Sequence, residues 1–339
     1  MKKTSAAYAR AGVDVDLGNN LKNRLPALVK KTHGPQVLGG IGAFGGLFRA
    51  SFSGMKDPVL VASMDGVGTK LKIAVLAERH DTVGEDLVNH CVNDIAVMGA
   101  RPLFFLDYLG AGKLDPDVFA QVITGLARSC RRAGCALLGG ETAQMPGLYH
   151  GSDYDLVGTI VGVADRSRLL DGSRVRSGDA LIALPSNGLH TNGYTLARQV
   201  LLGKLKLGVH DRLPGCRGTV AKELLRVHRN YEPALSSLPP RVLHAAAHIT
   251  GGGLPDNLPR ALPEGCAAVI ERGALRVPSL FRVIAKAGKV SEDEMFRVFN
   301  MGVGMVVIVA AKQAEKTAKS LGGYHIGQVE GGPPGVRFI

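Results

Sequence analysis

A carboxylate, two glycines, a hydroxyl and an ammonium follow one another closely after the short apolar run 58–61. These groups belong to Asp65, Gly66, Gly68, Thr69 and Lys70. Glycines let the backbone approach a ligand, oriented N–H groups beside them bind anions, and an aspartate there would hold a divalent cation. The chain contains no Gly-Lys-Ser/Thr run, so we interpret this segment as a magnesium–phosphate loop other than the P-loop. The alternative is an ordinary strand–turn with a solvated Asp65.

Two further acids are expected to point inward. A helix is predicted near 85–98, with an apolar stripe formed by Leu87, Cys91, Ile95 and Met98. Asp94 lies on that stripe, where a metal ion or a cation must balance its charge; a salt bridge to lysine or arginine is the alternative. Glu141 follows a short apolar strand and two glycines. Asp65, Asp94 and Glu141 are therefore the predicted Mg²⁺ ligands.

A glycine-rich segment covers residues 39–46. Its glycines are Gly39, Gly40, Gly42, Gly45 and Gly46. Such a run is too flexible for the interior of a strand or helix. We interpret it as a mobile loop whose amides close over a polyphosphate, with a plain flexible connector as the alternative.

The second half of the chain offers two more candidate sites. His190 lies between Asn187 and Asn192 on a loop that follows a buried strand, where it could bind a substrate amide or stabilise charge; a structural histidine is the alternative. The turn Gly251, Gly252 and Gly253 precedes a short helical stretch and suits a monophosphate, or it is a tight packing turn. His244, His248 and Cys266 have no neighbours in sequence that complete a metal set and are interpreted as structural.

Length and composition bound the kind of protein. A chain of 339 residues, 45% hydrophobic and 21% charged, is expected to form two domains. No apolar run is long enough to cross a membrane, and no secretory signal begins the chain. Five scattered cysteines indicate reduced thiols and a cytoplasmic protein. The net charge of +12 is dispersed and aromatic residues are only 5%, so we expect attraction of small anions rather than nucleic-acid binding.

Strands and helices alternate along the chain, which predicts an α/β (α+β) fold. Strands are predicted near 59–65, 102–110, 135–141, 154–164, 180–184, 267–270 and 303–310. Helices are predicted near 68–79, 85–98, 115–133, 194–203, 219–236 and 278–287. A polar, turn-rich segment follows Asp165, and we place the domain boundary there, as 1–168 and 169–339.

These motifs resemble, over essentially the whole chain, the phosphoribosylformylglycinamidine cyclo-ligase (AIR synthetase) family. The stretches that carry the resemblance are 8–20, 39–46, 65–70, 91–94, 101–108, 139–147, 188–194, 250–253 and 299–305. Within the wider superfamily, the segments 101–108 and 140–146 are specific to this enzyme. Gln144 stands where a glutamate is expected, and the region 203–218 is shorter than expected.

The resemblance implies ATP-dependent closure of an imidazole ring in purine synthesis. ATP would phosphorylate the formamide oxygen of formylglycinamidine ribonucleotide (FGAM), and the amidine nitrogen would then displace phosphate to give aminoimidazole ribonucleotide (AIR). The resemblance also implies an N-terminal domain whose strands form a barrel across a homodimer, and a C-terminal α/β domain. Asp65, Asp94 and Glu141 would hold Mg²⁺, and Lys70 would neutralise the transferring phosphoryl group.

The same resemblance assigns the acceptor side of the reaction. His190, with Asn187 and Asn192, would steady the amide oxygen, and the turn 251–253 would receive the ribose phosphate. Another ATP-dependent member of the superfamily, such as a formylglycinamidine synthetase-like enzyme, remains an alternative. A nucleotide-binding regulator without turnover is a second one.

Overall fold

The first folded unit is built on a four-stranded sheet. The computed structural model describes residues 12–39, 45–239 and 241–339. The strands are β1 (Pro58–Gly66), β2 (Arg101–Ala111), β3 (Ala136–Gln144) and β4 (Tyr154–Asp165), in the spatial order β1-β4-β2-β3. β4 runs antiparallel to β1 and β2, whereas β2 and β3 are parallel. Asp65 is the penultimate residue of the edge strand β1 and so lies at its C-terminal end, as predicted.

Four α-helices of the described residues accompany this sheet. They are α1 (Val15–Val29), α2 (Leu71–Leu76), α3 (Asp81–Ala96) and α4 (Pro116–Ala133). α4 begins at the N-cap Asp115, whose carboxylate accepts two backbone N–H groups, and ends at Gly134 in the left-handed conformation. Leu87, Cys91 and Ile95 of α3 are fully buried, which confirms the predicted stripe, but Met98 lies beyond the helix end and is 40% exposed.

The opposite face of the first sheet is open. Along β1 the residues alternate between half-buried and exposed, the pattern of a strand with one covered face. Exposed apolar side chains on the open face include Leu60, Met64 and Leu106. α3 contacts β1, β2 and β4, and it lies on the side to which Ser63 and Asp65 point. The first unit thus buries only one side of its sheet within the described chain.

The second unit contains a six-stranded sheet. Its strands are β5 (Ala180–Pro185), β6 (Leu243–His248), β7 (Cys266–Ile270), β8 (Val303–Val309), β9 (Tyr324–Gly331) and β10 (Val336–Phe338), in the order β10-β7-β9-β5-β8-β6. The helices are α5 (Tyr194–Arg198), α6 (Val220–Leu224), α7 (Glu232–Ser236), α8 (Gly253–Asn257), α9 (Ser279–Gly288), α10 (Glu292–Val298) and α11 (Ala314–Leu321). The predicted boundary after residue 168 falls in the segment 166–179, which separates β4 from β5.

Most predicted elements are present, and one error affects the site. The mixed α/β class and the strands predicted in both units are confirmed, although the sequence did not predict β6, β9 or β10. The helix predicted over 219–236 is wrong: α6 ends at Leu224, and α7 begins at Glu232. Between them, residues 226–230 donate and accept hydrogen bonds to the first unit instead of to a helix. Tertiary partners have replaced the local helical bonds.

Candidate active site

A polar stripe on α3 forms the contact between the two units. It consists of Asp86, Asn89, His90, Asn93 and Asp94, spaced three or four residues apart and so on one helix face. Side chains of the stripe bond the backbone of residues 228–231 in the second unit, with hydrogen bonds of 2.6–2.8 Å. The second unit is therefore aligned on the helix that carries Asp94.

Asp65 and Asp94 lie close enough for their charges to interact at this junction. Their side chains are 41% and 26% exposed, respectively. Burial raises the pKa of each carboxyl, but it is outweighed at Asp65 by the hydrogen bond and charge of His90, and at Asp94 by the hydrogen bond of His248 together with the charge of His90. Both pKa values are consequently below the ordinary value, and both acids are ionised at neutral pH.

A continuous series of hydrogen bonds links these two carboxylates through the second unit. From Asp65 Oδ2 it passes to His90 Nε2 (2.9 Å) and from His90 Nδ1 to Thr191 Oγ1 (2.8 Å). Thr191 Oγ1 lies 3.3 Å from His228 Nδ1, and His228 Nε2 lies 2.9 Å from His248 Nε2. His248 Nδ1 then lies 2.8 Å from Asp94 Oδ1. We call His90, Thr191, His228 and His248 the imidazole chain.

Hydrogen bonding along the whole imidazole chain requires one more proton than its neutral side chains supply. Both ends meet a carboxylate that only accepts, and five hydrogen bonds would need five protons, while three neutral imidazoles and one hydroxyl carry four. Burial lowers the pKa of all three histidines, but at His90 the hydrogen bond and charge of Asp65 reverse the direction and raise it. His90, beside Asp65, is therefore the histidine that would carry the extra proton.

His190 lies beside this chain and is almost completely buried. Its ring stacks on that of His228 with centroids 4.1 Å apart. Nε2 lies 3.4 Å from the backbone nitrogen of Asn187, whereas the buried Nδ1 has no hydrogen-bond partner among the described residues. Burial, together with the positive charge of neighbouring groups, holds the pKa of His190 well below its usual value, so the ring is neutral. Because Nε2 faces the Asn187 N–H and accepts from it, the unpaired Nδ1 of the neutral ring carries the proton and can donate to a ligand.

Lys70 does not have the environment that the sequence predicts for a phosphate ligand. Its ammonium lies 2.8–2.9 Å from the Asp86 carboxylate, 3.1 Å from the His190 carbonyl oxygen and 2.7 Å from the Arg226 carbonyl oxygen. The side chains of Lys70 and Asp86 are fully buried. These partners occupy all three N–H donors, so Lys70 ties the two units together instead of facing a ligand.

Glu141 is separated from Asp65 within the chain, so its role as a shared metal ligand stays a prediction. The sheet register places Asp65, Gly158, Asp107 and Gly140 in one row across all four strands. Since β1 and β3 are opposite edges, three strand spacings of about 4.8 Å separate Glu141 from Asp65. Glu141 is also one residue past that row and so points to the other face, where it is exposed and accepts from the Thr142 N–H.

The glycine loop lies near that same distant edge. Residues 36–38 and 47–49 form its two paired arms. A Cβ on Gly46 would clash with Leu138 of β3, and Phe48 packs on Phe104. Gly39 and Gly45 have open space around them, while Gly40 and Gly42 lie outside the described residues. The described part of the loop makes no hydrogen bond to Asp65 or Asp94 within the chain.

The remaining predicted residues divide into two groups. Gly66 donates its N–H to the Asp65 carboxylate. Thr69 follows Gly68, and its hydroxyl oxygen lies 3.0 Å from the hydroxyl oxygen of Thr195 in the second unit. Asn187 donates to the Val227 carbonyl oxygen, and a Cβ on Gly251 would lie 3.1 Å from the Asn192 Oδ1 atom. The loop 187–192, which we call the acceptor loop, and the glycine turn 251–253 are thus adjacent, as their shared assignment requires.

The glycine turn is less open than a phosphate site requires. A Cβ on Gly252 would lie 2.7 Å from a carboxylate oxygen of Asp256, and a Cβ on Gly253 would clash with the Phe296 carbonyl oxygen. Asn257 also bonds the carbonyl oxygens of Gly251 and Gly253. These contacts favour the packing interpretation, and the nearby negative charge opposes a phosphate.

Sequence reasoning missed the histidines that hold the acids. His248 was interpreted as structural, yet His90, Asp94 and His248 each present a ligand atom within 4.8 Å of the others. His228 was assigned to a helix that the structure lacks. The detectable signal was the polar stripe on α3, because five polar residues at helical spacing on a buried helix require polar partners from another element.

Comparison with known proteins decides the family. The AIR synthase related protein N-terminal domain matches residues 50–164, and the corresponding C-terminal domain matches 176–339. The chain is 52% identical over 324 residues to the phosphoribosylformylglycinamidine cyclo-ligase of Citrifermentans bemidjiense, covering 95% of this chain and 93% of the relative. The chain belongs to the phosphoribosylformylglycinamidine cyclo-ligase family. The relative from Anaeromyxobacter dehalogenans is 49% identical, covering 98% of this chain and 97% of its own.

Solved structures share the fold of this family member at low sequence identity. Hydrogenase maturation protein HypE, solved in complex with ATP, has a TM-score of 0.68 and 18% identity over 97% of this chain and 93% of its own. Thiamine-monophosphate kinase from Stenotrophomonas maltophilia has a TM-score of 0.64 and 21% identity over 93% and 94%. At these identities the likeness shows the two-domain architecture alone. Among the described residues, no helix has the length and apolar character needed to span a bilayer.

Proposed function

We propose that this chain catalyses the ATP-dependent closure of FGAM to AIR, releasing ADP and phosphate. The carrying observation is the junction itself, where two ionised carboxylates of the first unit meet the His190 loop of the second. Phosphoryl transfer depends on positioning and on electrostatic stabilisation rather than on covalent chemistry by the protein. Asp65 and Asp94 on the first unit would position the phosphates, and the loop containing His190 on the second unit would position the acceptor. This arrangement suits that requirement.

The donor set of this junction fits Mg²⁺. Mg²⁺ prefers carboxylate oxygens and is usually held by one or two of them together with substrate phosphates. Asp65 and Asp94 supply such oxygens, and each is held by a histidine on one oxygen and by a further donor, Gly66 N–H or Ser63 hydroxyl, on the other. Bound Mg²⁺ would neutralise charge on the ATP phosphates, and the two aspartates are the residues that would hold it.

We assign the acceptor amide to His190. Among the described residues, its Nε2 has one partner, a long contact to the Asn187 N–H, and its buried Nδ1 has none. Such an atom costs free energy unless a ligand completes it. A hydrogen bond from the neutral ring to the formamide of FGAM would both orient the amide and stabilise charge developing on its oxygen. Asn187 and Asn192 flank this position.

We propose that a second copy of the chain completes the first unit. The open face of the four-stranded sheet exposes Leu60 (62%) and Met64 (68%), and two such faces packed together would form the barrel expected for a homodimer. Glu141 lies on that open face, and the glycine loop lies near its edge. Both are therefore proposed to act across the dimer, because neither Glu141 nor the described part of the loop meets Asp65 within one chain.

Five cysteines without a disulfide, four of them buried, are compatible with a cytoplasmic location for this dimer.

A coupled assay tests the function. Purified protein receives ATP, Mg²⁺ and FGAM, and both phosphate and AIR are measured. We expect equal amounts of the two products, with neither formed when FGAM is left out. Phosphate released without AIR would indicate an ATPase or a different acceptor, and ATP binding without phosphate release would indicate a regulator.

A further inference from the structure

The imidazole chain joins two kinds of site that the sequence keeps far apart. At its ends are the carboxylates that would hold Mg²⁺, and at its centre is Thr191, the residue between His190 and Asn192 of the acceptor loop. Thr191 is 7% exposed and His228 is completely buried. Solvent therefore does not compete for their hydrogen bonds. Breaking one hydrogen bond of the imidazole chain consequently weakens the adjacent ones.

We propose that Thr191 and His228 are positioning residues that couple the acceptor loop to the metal-binding carboxylates. This inference rests on the proposed function for the roles of Asp65 and Asp94. Thr191 and His228 touch neither carboxylate. They act through His90 on Asp65 and through His248 on Asp94.

The coupling follows from how few contacts orient the terminal histidines. His90 has Asp65 on one ring nitrogen and the Thr191 hydroxyl on the other. His248 has Asp94 on one nitrogen, and His228 makes the short contact to the other, with Asn93 at 3.5 Å. Loss of the Thr191 hydroxyl would leave buried nitrogens unpaired at His90 and His228. The ring of His90 would then no longer be fixed, and neither would the carboxylate plane that it holds.

The same hydrogen bonds let substrate binding and metal binding each favour the other. A substrate that engages His190 fixes the loop containing Thr191 and so favours the ring orientation that holds Asp65 and Asp94 for the metal ion. By linkage, the metal ion must favour substrate binding by the same factor. We therefore expect FGAM to tighten binding of the metal ion, and we expect this effect to require the Thr191 hydroxyl.

The test compares Thr191→Val, which removes the hydroxyl at nearly constant shape, with Thr191→Ser, which retains it. Mn²⁺ binding is measured by electron paramagnetic resonance on the full chain with a non-hydrolysable ATP analogue, with and without FGAM. In Thr191→Val we expect the Mn²⁺ dissociation constant to rise about tenfold and its response to FGAM to vanish. Thr191→Ser should restore both to within about twofold of the wild type, since outer partners act through the retained hydrogen bond.

A matched control separates coupling from loss of stability. Thr124→Val removes a half-buried hydroxyl that bonds within α4, away from the junction. It should lower the melting temperature without changing Mn²⁺ affinity. If Thr191→Val also lowers the melting temperature but leaves Mn²⁺ affinity unchanged, the proposal is wrong. If Thr191→Val does not fold, His228→Asn takes its place. We expect the same weaker Mn²⁺ binding and lost response to FGAM, and unchanged Mn²⁺ affinity would contradict the proposal.

The two proposals fail in distinguishable ways. A wild-type chain that produces no AIR contradicts the proposed function, while the Mn²⁺ comparison of the Thr191 variants still decides the coupling. A wild-type chain that produces AIR, with Mn²⁺ affinity and its FGAM response unchanged in Thr191→Val, contradicts the coupling alone.

Discussion

The Lys70 ammonium lies 2.8 Å from the Asp86 carboxylate with both side chains fully buried. Breaking such a pair leaves an uncompensated buried charge, so we expect Lys70→Met to reduce the free energy of unfolding by about 3–5 kcal/mol. Urea unfolding measures this loss. The double variant Lys70→Met/Asp86→Leu should recover part of it by removing the stranded carboxylate. An unchanged unfolding midpoint with greatly weakened ATP binding would instead place Lys70 at the triphosphate.

Asp65→Asn and Asp94→Asn should each abolish AIR formation while leaving the protein folded. Each amide keeps the size of the side chain but loses the negative charge that the metal ion requires. Phosphate and AIR are measured at saturating Mg²⁺, and circular dichroism checks the fold. Asp179→Asn is a useful comparison, because Asp179 also bonds a histidine, His244, but lies in the second unit, immediately before β5. Near-normal turnover in either site variant would remove that residue from the metal site.

His190→Ala should reduce turnover by about a hundredfold or more, because it removes the group assigned to the acceptor amide. ATP affinity should change little, since the ring is not assigned to the nucleotide. Steady-state kinetics and calorimetric ATP binding are the two measurements. Equal losses in both would place His190 at the triphosphate, and unchanged kinetics in a folded variant would make it structural.

The stability of the protein should fall as the pH decreases below about 6.5, the ordinary pKa of histidine. Burial and nearby positive groups hold the pKa values of His190 and His228 well below that value. The unfolded chain therefore takes up protons that the folded chain does not. Each of the two histidines lowers the free energy of unfolding by up to about 1.4 kcal/mol for each pH unit of decrease. The charged or titratable groups that face the two rings are Lys70, His90, Arg229, Tyr231 and His248.

Urea unfolding at pH 6.5 and pH 5.5 measures this dependence, and His228→Asn provides the control. Other groups contribute as well: burial lowers the pKa of His80 and His248, which adds to the loss, whereas Asp65 raises the pKa of His90 and burial raises that of Asp107 to about 7, which opposes it. The variant should lose the part of the pH dependence that His228 contributes. A His228→Asn variant with the same pH dependence as the wild type would show that the His228 ring is not held neutral.

Met64→Lys on the open face of the first sheet should convert the proposed dimer into a monomer. The lysine would place a charge in the centre of an apolar contact, where it lacks a partner. Light scattering at micromolar concentration measures the mass, and Leu76→Lys, at an exposed leucine of α2, is the matched control. A wild-type monomer with full activity would contradict the shared-barrel proposal.

Local pattern in the sequence was sufficient for the elements and for the acids at their ends. β1 ending at Asp65 and α3 carrying Asp94 beside a buried apolar stripe were both predicted, because alternation and helical spacing are properties of a few consecutive residues. The same local rules predicted a continuous helix through residues 225–231. There the carbonyl oxygens of Arg226, His228 and Arg229 instead accept from Lys70 and from side chains of α3.

Partnerships between distant residues were decided only by the tertiary structure. Asp94 and His248 are 154 residues apart, and Lys70 and Arg226 are 156 apart. No periodicity relates such positions, because their contact depends on how two separately patterned units pack. Sequence therefore identified Lys70 and Glu141 as charged groups on glycine-rich segments, but packing buried the first against Asp86 and placed the second on the far edge of the sheet. The imidazole chain exists only because the second unit covers the polar stripe of α3, where buried polar groups must find partners.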